Sequence, residues 1–224
     1  YGTKSAETVV GYTINNIKFL LSQGAKVIVI ACNTASSVAT ARVLEQFALP
    51  IFEVITPAVT LALEASTHLN FGIIGTRATI SSGIYEKKIL ENQPAARIHS
   101  VACPLLVPLV EEGWLKKRET AMIVKKYLQP LKTRQIDTLI LGCTHYPLLK
   151  NVIQTKIGKR VELIDSSICI SEGIKHFLDN NRDIERHLAQ NGNMSLYVSD
   201  VTDQFKKIAQ LTLKTSITFE CVKI

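Results

Sequence analysis

Two stretches of the chain, KVIVIACNTASS at residues 26–37 and DTLILGCTHYPL at residues 137–148, share one pattern. Each begins with a run of Val, Ile or Leu, passes through a small residue to a cysteine, and continues with polar residues that include threonine. Short runs that are apolar on both faces are typical of buried parallel strands. The pattern therefore predicts two equivalent strand-to-helix junctions, with Cys32 at the first and Cys143 at the second.

The rest of the chain repeats this alternation of short apolar runs and longer amphipathic segments. Strands are predicted at residues 26–31, 51–55, 71–75, 97–102, 138–142, 161–164 and 196–199. Helices are predicted at residues 5–22, 34–47, 57–67, 79–92, 116–131, 147–155, 169–178 and 202–211. Strands that alternate with helices favour an α/β fold with mainly parallel sheets and right-handed crossovers.

Size and charge limit the possible classes of protein. The chain has 224 residues, of which 46% are hydrophobic and 20% charged, and this balance excludes a disordered or fibrous protein. No stretch approaches the roughly 20 apolar residues that span a bilayer, so no membrane segment is predicted. The formal net charge is +7. The excess is concentrated in residues 115–160, where it is typical of a solvated helix face, and no nucleic-acid-binding motif accompanies it.

The five cysteines are odd in number, widely spaced and without a Cys-x-x-Cys pair. This arrangement disfavours both a disulfide framework and a zinc site, and it is typical of free thiols in a cytosolic protein. Each thiol is then either part of the core or a reactive group. We predict that Cys103, Cys169 and Cys221 lie in or near the core, and that Cys32 and Cys143 are functional.

The predicted position of the two functional thiols has chemical consequences. In open parallel sheets, ligands bind beyond the carboxyl ends of the strands, where the next helix presents unpaired N–H groups and the positive end of its dipole. A thiolate is favoured there, and a substrate carboxylate finds donors. Two such junctions that face each other would place one thiol on each side of a bound carboxylate-bearing molecule. That geometry suits removal of a proton from one face of a carbon and its return to the other face.

Three motifs together resemble the cofactor-independent glutamate racemases of the aspartate/glutamate racemase family. They are YGTKS at residues 1–5, ACNTAS at residues 31–36 and GCTHYP at residues 142–147. Two intervening segments, GTxxT at residues 75–79 and PLVExG at residues 108–113, are also similar to that family, and the resemblance extends over essentially the whole chain.

The resemblance implies racemisation of glutamate by two thiols, without a cofactor or a metal. One cysteine thiolate takes the Cα proton while the opposite thiol donates a proton, with Cys32 serving D-glutamate and Cys143 serving L-glutamate. His145 would assist proton transfer at Cys143, and Glu111 would be an auxiliary acid–base group; a solvated acidic turn is the alternative for Glu111. The implied substrate-binding residues are Tyr1, Gly2, Asn33, Thr34, Thr76, Thr144 and His145.

The same resemblance implies an architecture and a cellular role. Two Rossmann-like or flavodoxin-like α/β domains would enclose the active site in the cleft between them. Residues 1–55 and 165–224 would form the first domain, which carries Cys32, and residues 56–164 the second, which carries Cys143. The implied protein is a bacterial cytoplasmic enzyme, a homodimer, that binds glutamate and supplies D-glutamate for peptidoglycan synthesis.

The start of the chain departs from the family pattern. The family begins with a strand that ends in Asp-Ser-Gly-x-Gly-Gly, some tens of residues before the Tyr-Gly loop, and this motif is absent from the sequence. In the family its Asp assists the first cysteine and its Ser binds substrate. We therefore expect that a chain truly starting at Tyr1 is inactive and poorly folded.

Other interpretations stay open on the sequence. A racemase for aspartate or hydantoin would share the paired thiols, although His145 after Cys143 and Thr144 favours glutamate. A redox protein could use the two thiols as a reversible disulfide. A basic nucleic-acid-binding module would show DNA affinity that falls steeply with salt. Deuterium incorporation at Cα of glutamate, without reductant or cofactor, would separate racemisation from these alternatives.

Overall fold

The computed structural model describes residues 1–213 and 218–223. The strands β1 to β8 are Ile28–Ile30, Ile51–Glu53, Asn70–Gly75, Arg97–Ala102, Thr138–Gly142, Glu162–Asp165, Leu196–Val198 and Phe219–Cys221. The helices α1 to α11 are Ala6–Ser22, Asn33–Gln46, Ile55–Ala65, Arg77–Ser81, Ile84–Asn92, Leu106–Glu111, Arg118–Thr133, Lys150–Ile157, Ser166–Asn180, Arg182–Arg186 and Asp203–Leu213. A 3-10 turn, Tyr146–Leu149, precedes α8.

Parallel strands form the sheets in the part of the chain that the structure describes. The largest sheet has the order β4-β3-β5-β6, and the pairs β1-β2 and β7-β8 form two smaller sheets. In the largest sheet β3 and β5 are central, with Gly75 opposite Gly142 in register. The predicted α/β fold with parallel sheets is confirmed, and the carboxyl ends of β3 and β5 lie side by side.

The central strands are buried because helices cover both faces of the sheet. Ile73 and Ile140 face one layer, which α3 and α5 cover. Ile74, Leu139 and Leu141 face the other layer, which α7 and α8 cover. Successive side chains of a strand point to opposite faces, so a run that is apolar throughout needs both layers. The strand that ends at Cys143 is therefore held in a close-packed core.

A second, smaller core supports the strand that ends near Cys32. Ile28 and Ile30 of β1 pack with Ala39 and Val43 of α2 and with helix α1. Helix α1 begins after Ser5, whose hydroxyl accepts a hydrogen bond from the Thr8 N–H at 3.3 Å. This cap satisfies one of the N–H groups that a helix start leaves unpaired.

Several elements differ from the sequence-based expectation. The helix predicted at residues 79–92 is divided into α4 and α5, because Gly83 adopts a left-handed conformation with φ 64° that an α-helix does not accommodate. Helices α6 and α10 and strand β8 were not predicted. They span only six, five and three residues, so each offers too few residues to establish a periodicity.

Asp137, just before β5, anchors the loop that enters β3. Its carboxylate accepts hydrogen bonds from the Ser66 hydroxyl at 2.9 Å and from the His68 backbone N–H at 2.6 Å. Burial by itself raises the pKa of this carboxyl. The hydrogen bonds from His68 and Ser66 outweigh burial, and the pKa lies below its ordinary value of 3.8. The ionised form of Asp137 therefore stabilises the fold.

We expect Asp137→Asn to lower the free energy of unfolding by about 1–2 kcal/mol near neutral pH, because an amide nitrogen cannot accept these bonds. A carboxyl whose pKa is depressed by folding stabilises the protein above its ordinary pKa of 3.8, and the effect is lost as the pH falls through the folded-state value. Urea unfolding should therefore show a smaller difference at about pH 3 than at about pH 7. As a control, Asp203→Asn alters a side chain that is 93% exposed and should change stability by less than about 0.5 kcal/mol. Equal stability of Asp137→Asn and the unchanged protein at neutral pH would contradict the expectation.

Candidate active site

Cys32 lies at the first strand-to-helix junction, between β1 and α2. It occupies the N-cap position of α2 with extended backbone, at φ −96° and ψ 121°. The side chain is half-buried. Since the first turn of a helix leaves N–H groups unpaired, the Cys32 thiol stands beside donors that can bind an anion.

Cys143 lies at the second junction, directly after β5, and only 5% of it is exposed. Burial raises the pKa of this thiol to about 12, although the backbone N–H groups of His145 and Tyr146 act in the opposite direction. The Cys32 thiol is near enough to raise the pKa of Cys143 further. The two thiols therefore lie within electrostatic range of each other, and Cys143 rests in its protonated form.

A histidine and a carboxylate extend from Cys143 in a chain of contacts. His145 Nδ1 lies 3.9 Å from the Cys143 Sγ, and its Nε2 lies 3.4 Å from Oε1 of Glu111, at the end of α6. Thr144 is exposed, and its hydroxyl is 3.4 Å from the same Nδ1. The structure thus brings four of the predicted residues together around one thiol. The arrangement can carry a proton between the thiol and the imidazole.

Three threonine hydroxyls join the Cys32 side of the site to the end of β3. Thr34 in α2 lies 2.9 Å from Thr76 and 3.2 Å from Thr79, measured between the hydroxyl oxygens. Thr76 also caps α4, since its hydroxyl accepts from the Thr79 N–H at 3.1 Å. Gly2 approaches this group so closely that a Cβ there would lie 2.5 Å from the Thr76 Cβ. Gly2, Thr34 and Thr76 are therefore brought together, as predicted binding residues should be.

Asn33 is placed differently from the other predicted binding residues. Its side chain is buried, with 1% exposure, and both ends of the amide are engaged within the protein. The amide oxygen accepts from the Tyr85 hydroxyl at 2.6 Å, and the amide nitrogen donates to the Ser166 hydroxyl at 3.3 Å. The backbone N–H of Asn33, in the first turn of α2, is the group left to face a ligand.

The ring of Tyr1 packs against α1. The ring centroid lies 5.7 Å from that of Tyr12, and the hydroxyl accepts from the Asn16 amide at 3.3 Å. These three residues line one side of a cavity of about 640 Å³, and Tyr197 of β7 lines the other. The described contacts of the Tyr1 side chain are with α1, while its neighbour Gly2 lies against Thr76.

Sequence reasoning missed Tyr85 and Ser166. Ser166 follows β6 as Cys143 follows β5, so its position at a strand end was a usable signal. Tyr85 lies inside a helix and carries no comparable signal. Of the other cysteines, Cys103 and Cys169 are buried as predicted. The prediction for Cys221 is wrong, because this thiol is exposed on the short strand β8.

Across the described residues, 1–213 and 218–223, no group of three or more His, Cys, Asp or Glu side chains is arranged to hold a metal ion. None of the helices in the same ranges combines the length and the apolar character that crossing a membrane requires.

Comparison with known proteins gives the family. A model described as Asp/Glu/Hydantoin racemase matches residues 2–170. A glutamate racemase from Persephonella marina is 39% identical over 224 residues, covering 100% of this chain and 83% of that protein. The crystal structure of a glutamate racemase isoform from Bacillus anthracis has a TM-score of 0.92 at 34% identity, covering 100% of this chain and 84% of that one. The glutamate racemase of Francisella tularensis, crystallised in complex with D-glutamate, has a TM-score of 0.91 at 34% identity, with 100% and 83% covered.

The matched region of the family model contains both strand-to-helix junctions and their thiols. The relatives match over the whole of this chain, so the agreement extends beyond the motifs to the order of all the elements. The chain therefore belongs to the Asp/Glu/Hydantoin racemase family and is an amino-acid racemase, an isomerase.

Proposed function

We propose that this protein interconverts L- and D-glutamate by moving the Cα proton between two thiols. The observation that carries the proposal is the pair of cysteines after β1 and β5. Their junctions are linked by the 2.9 Å contact of the Thr34 and Thr76 hydroxyls, since Thr76 follows Gly75, which pairs with Gly142 beside Cys143. Glutamate is favoured as the substrate because the closely matching relatives are named glutamate racemases, and one of them is crystallised with D-glutamate. Aspartate and hydantoin remain the competing substrates.

In this mechanism the two thiols act on opposite faces of Cα. For D-glutamate, the Cys32 thiolate removes the proton and the Cys143 thiol donates one to the other face. Because burial raises the pKa of Cys143 to about 12, this residue is well suited to the donor role. For L-glutamate the roles exchange, so Cys143 must first lose its proton. A positioned acid or base of this kind contributes about 10²–10⁴-fold to the rate.

His145 and Glu111 support the step in which Cys143 acts as the base. The imidazole Nδ1, 3.9 Å from the thiol, receives the proton, and the Glu111 carboxylate, 3.4 Å from Nε2, stabilises the charge that forms on the ring. A contact of this length shortens when substrate closes the site. The 3.4 Å contact with the imidazole supports this role for Glu111 over the alternative of a solvated acidic turn, although 57% of its side chain is exposed.

The carbanion formed at Cα has to be stabilised by fixed donors around the substrate carboxylates. The N–H groups at the start of α2 supply such donors on the Cys32 side, together with the hydroxyls of Thr34 and Thr76. The exposed hydroxyl of Thr144, next to Cys143, supplies a donor on the other side. Preorganised donors of this kind often make the largest single contribution to catalysis. We propose that this set works without a bound cofactor.

The proposed domain division places this site in a cleft. Residues 1–55 and 165–224 would form one α/β unit with Cys32, and residues 56–164 the other with Cys143. The division is supported by the sheets, because β1-β2 and β7-β8 are separate from the four-stranded sheet that ends at Asp165 in β6. The contacts of Thr34 with Thr76 and of Asn33 with Tyr85 would then bridge the cleft.

We further propose a cytoplasmic homodimer that supplies D-glutamate for peptidoglycan synthesis. The five cysteines are free thiols, which are typical of a reducing compartment. The relatives found in Persephonella marina, Bacillus anthracis and Francisella tularensis support a bacterial enzyme with this role. Light scattering on the purified protein tests the dimer, which a monomeric mass at micromolar concentration would contradict.

The catalytic proposal is tested by incubating the purified protein with L- or D-glutamate in D₂O, without reductant or added cofactor. We expect deuterium at Cα of the product enantiomer and a final equal mixture of both enantiomers, because the donated proton comes from a thiol that has exchanged with solvent. Aspartate is the matched control substrate and should react at least about tenfold more slowly, since one missing methylene in a fitted site costs 10–200-fold. If aspartate turned over faster than glutamate, the assignment of glutamate as the substrate would be wrong. If the Cα proton did not exchange while the two thiols were reversibly oxidised to a disulfide, the redox alternative would be indicated.

A further inference from the structure

Tyr85 is a buried hydroxyl that the proposed mechanism does not use. It is the second residue of α5, has 1% of its surface exposed, and is among the largest fully buried side chains of the described residues. Burial raises the pKa of the Tyr85 hydroxyl far above its ordinary value, and the charges of Glu53, Cys169 and Cys143 act in the same direction. The hydroxyl therefore stays protonated and can donate a hydrogen bond throughout the pH range in which the protein works.

The hydroxyl of Tyr85 holds the residue next to Cys32. It donates to the amide oxygen of Asn33 at 2.6 Å, and Asn33 directly follows Cys32 at the start of α2. Because the amide oxygen is taken by a donor, the amide nitrogen must point the other way, to the Ser166 hydroxyl at 3.3 Å. The Asn33 side chain is thus held from both ends in one orientation.

The ring of Tyr85 lies against the residue before Cys143. A Cβ built at Gly142 would be 3.4 Å from the Tyr85 Cε2, so the ring occupies the space directly beside this glycine at the end of β5. The same ring belongs to the apolar cluster formed by α3, α5 and the central strands, in which Ile73 and Ile140 also lie. One rigid side chain is therefore bonded to Asn33 at the Cys32 junction and lies beside Gly142 at the Cys143 junction.

We propose that Tyr85 is a positioning residue for racemisation, which fixes the Cys32 junction relative to the Cys143 junction through its hydrogen bond to Asn33 and the packing of its ring beside Gly142. This inference rests on the proposed function, because it assigns Tyr85 a role in the alignment of the two proton-transferring thiols. Proton transfer needs both sulfurs at a defined distance from Cα, and a misplacement of about 1 Å can cost about 10²-fold in rate. Tyr85 acts through Asn33 and Gly142 and does not itself touch substrate.

The variant Tyr85→Phe removes the hydroxyl and keeps the ring. We expect kcat for glutamate racemisation to fall about 10–100-fold while KM changes less than about threefold, because alignment of the thiols is impaired more than binding. Tyr127→Phe is the matched control. Among residues 1–213 and 218–223, the Tyr127 hydroxyl accepts from the Leu105 backbone N–H, at 3.4 Å, and its loss should leave kcat unchanged. Equal kcat values for Tyr85→Phe and the unchanged protein would overturn the inference.

A double-mutant cycle with Asn33→Ala distinguishes positioning from a general loss of stability. If Tyr85 acts through Asn33, adding Tyr85→Phe to Asn33→Ala should lower kcat by less than about twofold further. If the two substitutions lowered kcat by independent factors that multiply in the double variant, Tyr85 would not act through Asn33. Ser166→Ala removes the hydroxyl that accepts from the Asn33 amide nitrogen, and it should also lower kcat with little change in KM. If Tyr85→Phe did not fold, unchanged kcat in Ser166→Ala would overturn the inference.

Failure of the inference and failure of the proposed function give different results. If the unchanged protein racemises glutamate and Tyr85→Phe matches it, only the positioning role is wrong. If the unchanged protein does not exchange the Cα proton of glutamate in D₂O, both the function and the role that rests on it are wrong.

Discussion

Cys32→Ser and Cys143→Ser are each expected to reduce glutamate racemisation by about 10³–10⁴-fold. A serine hydroxyl holds its proton far more tightly than a thiol, so it cannot act as the base or return a proton at a comparable rate. The loss of racemisation should be large in both variants, because the proton has to leave one face of Cα and a proton has to arrive on the other. Both substitutions nearly preserve side-chain volume, so the fold should be retained.

The two variants should differ in the partial reaction that survives. Cys32→Ser keeps the base that serves L-glutamate, so in D₂O it should exchange the Cα proton of L-glutamate slowly without forming the D-enantiomer. Cys143→Ser should show the mirror-image behaviour with D-glutamate. Cys221→Ser, at an exposed thiol in β8, is the control and should racemise at the unchanged rate. Near-normal turnover in both directions by either active-site variant would show that the two-thiol mechanism is wrong.

Gly142→Ala is expected to impair both folding and catalysis. A Cβ at this position would lie 2.8 Å from the carbonyl oxygen of Ile74 in the neighbouring strand β3. That atom is backbone, fixed by the pairing of β3 with β5, and cannot rotate away. Strand β5 would therefore have to shift, at a cost of about 1–3 kcal/mol in the free energy of unfolding. Since Cys143 follows directly, we expect turnover to fall by about 10²-fold.

A second glycine provides the control for this prediction. Gly11 lies within helix α1, and a Cβ there would have no described heavy atom within 4 Å apart from its own chain neighbours and helix backbone. Gly11→Ala should therefore leave turnover unchanged and raise the free energy of unfolding by about 0.5–1 kcal/mol. Urea unfolding and a coupled racemisation assay measure both quantities. A Gly142→Ala protein as stable and as active as the Gly11→Ala protein would contradict the steric explanation.

The parts of the fold that the sequence predicted well are the ones fixed by local patterns. The bounds predicted for β4 and β5 are those observed, Arg97–Ala102 and Thr138–Gly142. In β5 the reason is that a run of apolar residues buried on both faces has no alternative conformation of equal burial. The division of the predicted helix at residues 79–92 depends instead on the backbone conformation of Gly83, which periodicity does not report.

The sequence alone determined the two junctions, because each thiol follows an apolar strand within two residues and precedes a helical segment within three. It also determined the polar residues that follow each thiol, which are Asn33 and Thr34 after Cys32, and Thr144 and His145 after Cys143. Only the tertiary structure decided how these residues are used. The hydrogen bond from Tyr85 to Asn33 joins residues 52 positions apart, and that from Asn33 to Ser166 joins residues 133 positions apart. Such contacts depend on how separate helices pack around the sheets, and no local pattern of hydrophobic or polar residues encodes that packing.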